Sequence, residues 1–357
     1  MANGLVAMVA EEVRRPGGEL LAKKLDLGET TDTWEGPPTL SAAELLDCNF
    51  PDPTWIVPGL LPEGATLLAG RPKMGKSWLA LGLALSVASG ALALDKIEVE
   101  QGKVLYLALE DTARRLKKRL EMLLDGKPAP DDLHFATKWP RLDGDALPLL
   151  ETWLEQHTGA RFIIIDTLAR IRAPEAQNTG LYAGDYAALS GLKTVADNHG
   201  IAIMVVHHLN KRAATEDPLD AVSGTTGLTG CADSIWILGR ERGRADANLL
   251  VTGRDFEEQD VALEFDPNQG LWRFLGSADE YRRSSQRQEI IEVLKQAREP
   301  LRPKDISEAL GKPSNNIRFL LSKLTEEGAI KNVGYGQYTI PTNTTNTANS
   351  SEVLAIK

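Results

Sequence analysis

Eight residues, Gly70-Arg71-Pro72-Lys73-Met74-Gly75-Lys76-Ser77, have the types and spacing of a loop that wraps a polyphosphate. Gly70 and Gly75 let backbone N–H groups turn inward where a Cβ would obstruct. Lys76 carries a point charge to the β- and γ-phosphates, and the Ser77 hydroxyl can ligate Mg²⁺. Arg71, Pro72, Lys73 and Met74 complete the loop and Trp78 follows it. The run 70–78 is therefore the expected binding segment for ATP with Mg²⁺. A fortuitous glycine-rich turn is the alternative. Context opposes it: Ala65 to Ala69 reads as a short buried strand and Trp78 to Ala88 as an apolar helix, the strand–loop–helix setting the chemistry requires.

Two carboxylates stand where apolar strands end. Glu110 follows Val104–Leu109, and a carboxylate at a strand's carboxyl end faces the ligand crevice of an open α/β sheet. There it can orient or deprotonate the water that attacks the γ-phosphate. The competing reading has Glu110, or better Asp111, capping a helix that starts near Thr112. Asp166 closes Phe162–Ile165 and is expected to hold Mg²⁺ through water, together with Ser77, while Thr167 positions water. His207 and His208 end the strand Ile201–Val206. One of them, with His207 favoured, is expected to sense the γ-phosphate; a core histidine satisfied by backbone is the alternative. Arg254 is the candidate to stabilise the transition state from a neighbouring subunit, with Arg240 and Arg242 competing and a solvated turn residue as the bland reading. Lys211 and Arg212 open a long loop, and Arg170 and Arg172 lie in another. All four are candidate phosphate contacts for single-stranded DNA, or surface charges. Aromatic residues are scarce there, Tyr182 and Tyr186 alone, which gives base stacking little support.

These residues need a frame, and the chain supplies one. From Ala65 strand and helix patterns alternate, which implies an α/β fold with a mostly parallel central sheet. Val104–Leu109, Leu133–Ala136, Phe162–Asp166 and Ile201–Val206 are the expected strands. Thr112–Leu124, Ala146–His157 and Tyr186–Asn198 are the expected helices. Long loops are expected over Ile171 to Asp185 and His207 to Thr229. Ser234–Leu238, Asn248–Val251, Val261–Phe265 and Leu271–Phe274 read as antiparallel strands closing one edge. Before the core, Ser41 is a plausible N-cap for a helix over Leu40–Leu46.

The composition shifts at Ser277. Tyr281 to Ile340 holds eleven Lys+Arg against seven Asp+Glu, leaving −14 for the rest of a chain whose net charge is −10. Helices over Ser285–Ala297, Pro303–Leu310 and Ser314–Glu327, then a hairpin around Gly334-Tyr335-Gly336, resemble a winged helix-turn-helix. Asn315, Asn316, Arg318 and Lys323 lie on the expected recognition helix, flanked by Lys312 and Lys331; duplex DNA and protein are both open as its partner. The expected domains are an arm over 1–38, an ATPase core over 39–276, the winged helix over 281–340 and a Thr/Asn/Ser-rich tail over 341–357.

The balance of 42% hydrophobic and 25% charged residues fits a soluble globular chain. The two cysteines, Cys48 and Cys231, far apart in sequence, argue against a disulfide framework and a cysteine-built zinc site, and fit a reducing cytosol. No secretory signal is evident, and the apolar run Trp78–Leu94 reads as a buried helix rather than a membrane span. The acidic balance is no footprint of a DNA-coated protein, though it leaves room for a local basic channel.

Taken together, Trp55–Gly64, the loop 70–77, Leu107–Asp111, Ile163–Thr167 and His207-His208 resemble, in that order, the RecA-like ATPases of the plasmid RepA replicative helicase group. The resemblance covers roughly Ser41 to Phe274. It implies a RecA-like core that assembles as a ring, commonly a hexamer, with ATP between subunits. The loops after the Asp166 and His207 strands would line a channel for single-stranded DNA. It carries roles onto Lys76, Ser77, Glu110, Asp166 and His207, and onto Arg254, where Thr252 departs from the basic residue common in related helicases. The winged helix departs from the minimal helicase, so an ATP-controlled regulator or loader that binds duplex DNA is the rival reading. A metabolic P-loop kinase is disfavoured, because no lid-like arginine cluster stands out.

Overall fold

A computed structural model describes residues 40–173, 181–209, 222, 227–240 and 246–341. The expected arm over 1–38, the tail beyond Pro341, and Lys211, Arg212 and Arg242 lie outside the described residues. The chain divides into two compact units between Ser277 and Ala278.

Helix α1 (Ala42–Asp47) opens the described chain. Ser41 Oγ accepts from the Glu44 N–H at 3.2 Å while Glu44 accepts from the Ser41 N–H at 2.7 Å, a reciprocal cap. A small antiparallel pair, β1 (Trp55–Val57) and β2 (Leu61–Pro62), leads into β3 (Gly64–Gly70), every residue of which is buried. Then follow α2 (Lys76–Ser89), β4 (Lys103–Ala108), α3 (Ala113–Leu124), β5 (Leu133–Ala136), α4 (Ala146–Gln156), β6 (Ala160–Asp166), α5 (Leu168–Ile171), α6 (Leu181–His199), β7 (Ala202–His208), α7 (Gly227–Cys231), β8 (Ser234–Arg240), β9 (Asp246–Gly253), β10 (Gln259–Asp266) and β11 (Leu271–Ser277).

Nine strands form one sheet in the order β11-β10-β9-β8-β3-β7-β6-β4-β5. From β8 to β5 all neighbours are parallel, and β9, β10 and β11 are antiparallel. The expectation that Ser234–Leu238 belongs to the antiparallel edge is thus corrected: β8 pairs with β3 in parallel. Its all-apolar run is the mark of a strand covered on both faces. The irregular stretch expected from Ile171 is shortened, because α6 begins at Leu181 rather than Tyr186 and α5 precedes it. Alanines and leucines carry that helix through Gly184 and Gly191, which taken alone are loop signals.

Each face of the sheet has its own core. On one face, Leu68, Tyr106, Phe162, Ile164, Met204 and Val206 pack with Leu79, Leu83 and Val87 of α2. On the other, Leu67, Leu105, Ile163, Ile165, Ile203 and Val205 pack with Leu150 of α4 and Leu189 and Leu192 of α6. Each large aliphatic side chain so buried contributes about 2 kcal/mol. The strict alternation decides which polar residue at a strand's end meets which helix.

In the second unit, α8 (Ala278–Gln296), α9 (Pro303–Leu310) and α10 (Ser314–Glu326) enclose Ile290, Leu294, Ile306, Ile317, Leu320, Leu321 and Leu324. α8 starts at Ala278, well before the expected Ser285. Gly311, at φ 63°, ends α9 in the left-handed region, which only glycine enters freely. β12 (Lys331–Gly334) and β13 (Gln337–Thr339) form the wing, and the Leu301 backbone bridges to Tyr338.

Candidate functional site

The loop between β3 and α2 has the backbone its sequence demands. Gly75 takes φ 99° immediately before Lys76 opens α2, and a Cβ on Gly70 would lie 2.7 Å from the Leu238 carbonyl oxygen. The first N–H groups of α2 have no partner within the helix, so the positive end of its dipole faces the loop.

Lys76 is 4% exposed. Its Nζ donates to the carbonyls of Gly70 (2.7 Å) and Arg71 (3.1 Å) and lies 3.0 Å from His208 Nδ1. Burial pushes its ammonium down to about 8, against the pull of Asp166 and Glu110. An anion bound in the loop stabilises the charged form, so binding draws a proton. At pH 8 about half a proton per site should be taken up when MgADP binds, and less at pH 7. Affinity should weaken as pH rises above about 8. Calorimetry in buffers of different ionisation enthalpy measures both.

Asp166 is 7% exposed and shares a face with α2. Tyr106 donates its hydroxyl to Asp166 Oδ2 at 2.9 Å, and the Ser77 side chain bonds the same carboxylate. Burial raises the Asp166 carboxyl, and these two bonds work against it. Ser77 and Asp166 thus stand together, and a Mg²⁺ here would be held by one hydroxyl and, through water, one carboxylate. That set fits an ion whose remaining ligands are phosphate and water. Among the described residues no cluster of three or more His, Cys, Asp or Glu offers a rival metal site.

Glu110 accepts from Thr167 Oγ1 at 3.2 Å, lies 3.6 Å from Arg170 Nε and 3.7 Å from His208 Nε2. It does not cap α3. Thr112 does, accepting from the Arg115 N–H at 3.3 Å, while Asp111 pairs with Arg115 and Arg119 at 2.7 and 2.6 Å. The capping expectation for Asp111 is corrected accordingly: the hydroxyl nearest the first turn wins. The Asp166–Thr167 peptide is cis.

His208, not the favoured His207, stands between Lys76 and Glu110. Strand parity is the reason: His208 follows Met204 and Val206 toward α2, and His207 follows Ile203 and Val205 toward α6. Burial holds His207 down to about 4, against the nearby Asp185 carboxylate. It is neutral at pH 7.

Other sites fall elsewhere. Arg254 adjoins Gly253, which pairs with Ser234 at the start of β8, at the sheet end away from its own phosphate loop. It donates to the Gly230 carbonyl at 2.7 Å and lies 4.0 Å from Asp233. Arg240, at the other end of β8, lies over the rings of Phe265 (5.0 Å) and Trp272 (5.6 Å). Arg172 donates to the buried Asp185 at 2.6 Å, so it is tied to α6 rather than standing out as a loop cation. Trp78 packs against Phe265 and lies under the Arg119 guanidinium at 5.3 Å. In the second unit, Asn315, Arg318 and Lys331 are exposed, whereas Asn316 donates to Gln286 and Lys312 and Lys323 pair with Glu289 and Glu326. Sequence reasoning missed Tyr106 and Trp272, whose indole donates to the Gly75 carbonyl at 3.1 Å. Tyr106 had a signal, sharing parity with the end of its strand. Trp272 had none, because its contact depends on how the sheet curves.

A glycine loop leaving the middle of a parallel sheet, a lysine and serine opening the next helix, and carboxylates ending two nearby strands define a RecA-like fold of the P-loop ATPase class. The chain belongs to the family described as "AAA domain", which it matches over residues 32–214. Residues 289–334 match the IclR helix-turn-helix domain. The fold is similar to a solved structure described as an "ATPase Domain", at 18% identity and TM-score 0.50, covering 60% of this chain and 85% of that one. It is also similar to that of a DnaB-like replicative helicase studied with primase, at 16% identity and TM-score 0.50, covering 76% of this chain and 75% of that one. No helix among the described residues is long and apolar enough to cross a membrane.

Proposed function

We propose that this chain is a Mg²⁺-dependent ATPase that forms a ring, expected to be a hexamer, on single-stranded DNA, and acts as a replicative helicase of a plasmid or phage-like element. The observation that carries the reading is the meeting of Lys76, His208, Asp166 and Glu110 at the carboxyl ends of four adjacent strands, β3, β7, β6 and β4. Family membership and the DnaB-like fold neighbour support it. Lys76 neutralises the β- and γ-phosphates. Glu110, steadied by Thr167, takes the proton of the attacking water. His208, in reach of both, answers to the γ-phosphate. The cation supplies further positive charge at the phosphate oxygens when it is bound by Ser77 and Asp166. Arg254, remote from its own loop, acts on the phosphate of a neighbouring copy. The segment with Lys211 and Arg212 grips the strand, and Arg170, beside Glu110, links that grip to hydrolysis.

A second reading draws on the IclR-type match: an ATP-controlled regulator or loader whose Asn315, Arg318 and Lys331 meet duplex DNA without unwinding it. Native mass with and without a non-hydrolysable ATP analogue, followed by a forked-duplex assay, separates the two. The helicase reading expects a ring and ATP-dependent unwinding. A chain that stays monomeric at high concentration with ATP and single strands, and whose hydrolysis ignores DNA, overturns it.

A further inference from the structure

We infer that Trp272, on the last strand of the sheet, is a positioning residue of the phosphate loop: it fixes the peptide that joins Gly75 to Lys76. This rests on the triphosphate reading above. In sheet order β11 is four strands from β3, yet the sheet curves so that β11 packs on α2 and puts Trp272 against the loop. The Gly75 carbonyl accepts twice, from the Leu79 N–H at 3.0 Å and from Trp272 Nε1 at 3.1 Å. The ring itself blocks the other side of Gly75: a Cβ there would lie 2.8 Å from Trp272 Cζ2.

In a trans peptide the carbonyl and the next N–H point opposite ways. Holding the Gly75 carbonyl toward the indole therefore aims the Lys76 N–H out of the helix, where the loop cradles phosphate. The indole is itself held. Trp272 is 2% exposed, Phe265 packs on it at 5.0 Å between ring centroids, and the Arg240 guanidinium lies over its ring. A buried indole N–H needs an acceptor, and this one finds it in the loop. Trp236 is a built-in contrast: it is fully buried in the same core, and its Nε1 has no hydrogen-bond partner among the described residues.

The test compares Trp272→Phe and Trp236→Phe in the full chain, with MgADP as the probe. Both remove a buried indole, and both should lower Tm. Trp272→Phe should also lose about five-fold in MgADP affinity, the size of one lost hydrogen bond. Trp236→Phe should keep wild-type affinity. Equal affinities in the two variants overturn the positioning role. Wild-type protein that fails to bind MgADP at all overturns the triphosphate reading, and the role of Trp272 with it.

Discussion

Lys76→Ala is expected to lower ATP turnover by about 10³-fold or more, measured as phosphate release at saturating MgATP. The side chain has one geometry to lose. Its ammonium is buried, held by the Gly70 and Arg71 carbonyls and by His208, at the mouth of the loop. Three other arginines of the core are committed elsewhere: Arg170 is beside Glu110, Arg119 is paired with Asp111, and Arg254 is at the far end of β8. None of these three can take its place. The loss should be chemical and not a failure to fold. Burial disfavours the charged ammonium strongly enough to bring it down to about 8, so the native state gains little from keeping it. The Tm of the variant should stay within about 4 °C of wild type, the shift that roughly 1–2 kcal/mol would give. Lys76→Arg should be nearly as inactive, because a planar fork cannot occupy a pocket shaped by two backbone carbonyls and an imidazole. Normal turnover in Lys76→Ala would remove the basis of the functional assignment.

How much of this was legible in the residues depended on whether the signal was local. The loop 70–77, the apolar run into Asp166 and the cap at Ser41 are set by a few consecutive residues, and those elements stand where the sequence places them. Which of the two histidines faces Lys76 was within reach. Period-two alternation from Met204 already assigns His208 to the face of the phosphate loop, but two adjacent histidines at a strand's end invite a choice by position alone. The direction of β8 was less accessible. A short apolar run reads alike in either sense, and a sequence does not mark which strand will be its neighbour. Contacts such as Trp272 to Gly75 were out of reach, since they join residues 197 positions apart. They arise from the twist of nine strands rather than from any one of them.

Glu110→Gln is the second large effect, and it separates chemistry from binding where Lys76→Ala does not. Turnover should fall by about 10²- to 10⁴-fold, the range for removing a general base, while MgATP affinity stays near wild type. The amide is nearly isosteric, and its carbonyl oxygen can still accept from Thr167 Oγ1, which now bonds Glu110 Oε1 at 3.2 Å. If the carboxylate served only to hold Thr167, Gln would do that work and hydrolysis would continue. If it served as a charge partner for Arg170 or His208, at 3.6 and 3.7 Å and partly exposed, the cost would be small and would fade in salt. A deep loss of kcat that persists at high ionic strength, with little change in nucleotide affinity, is the outcome specific to proton transfer. The variant would then hold ATP unhydrolysed, so any assembly that depends on bound ATP should outlast that of wild type in the same native-mass measurement. Near-normal turnover in Glu110→Gln would move the base elsewhere. Asp166 is then poorly placed to replace it, because Tyr106 and Ser77 already occupy its carboxylate.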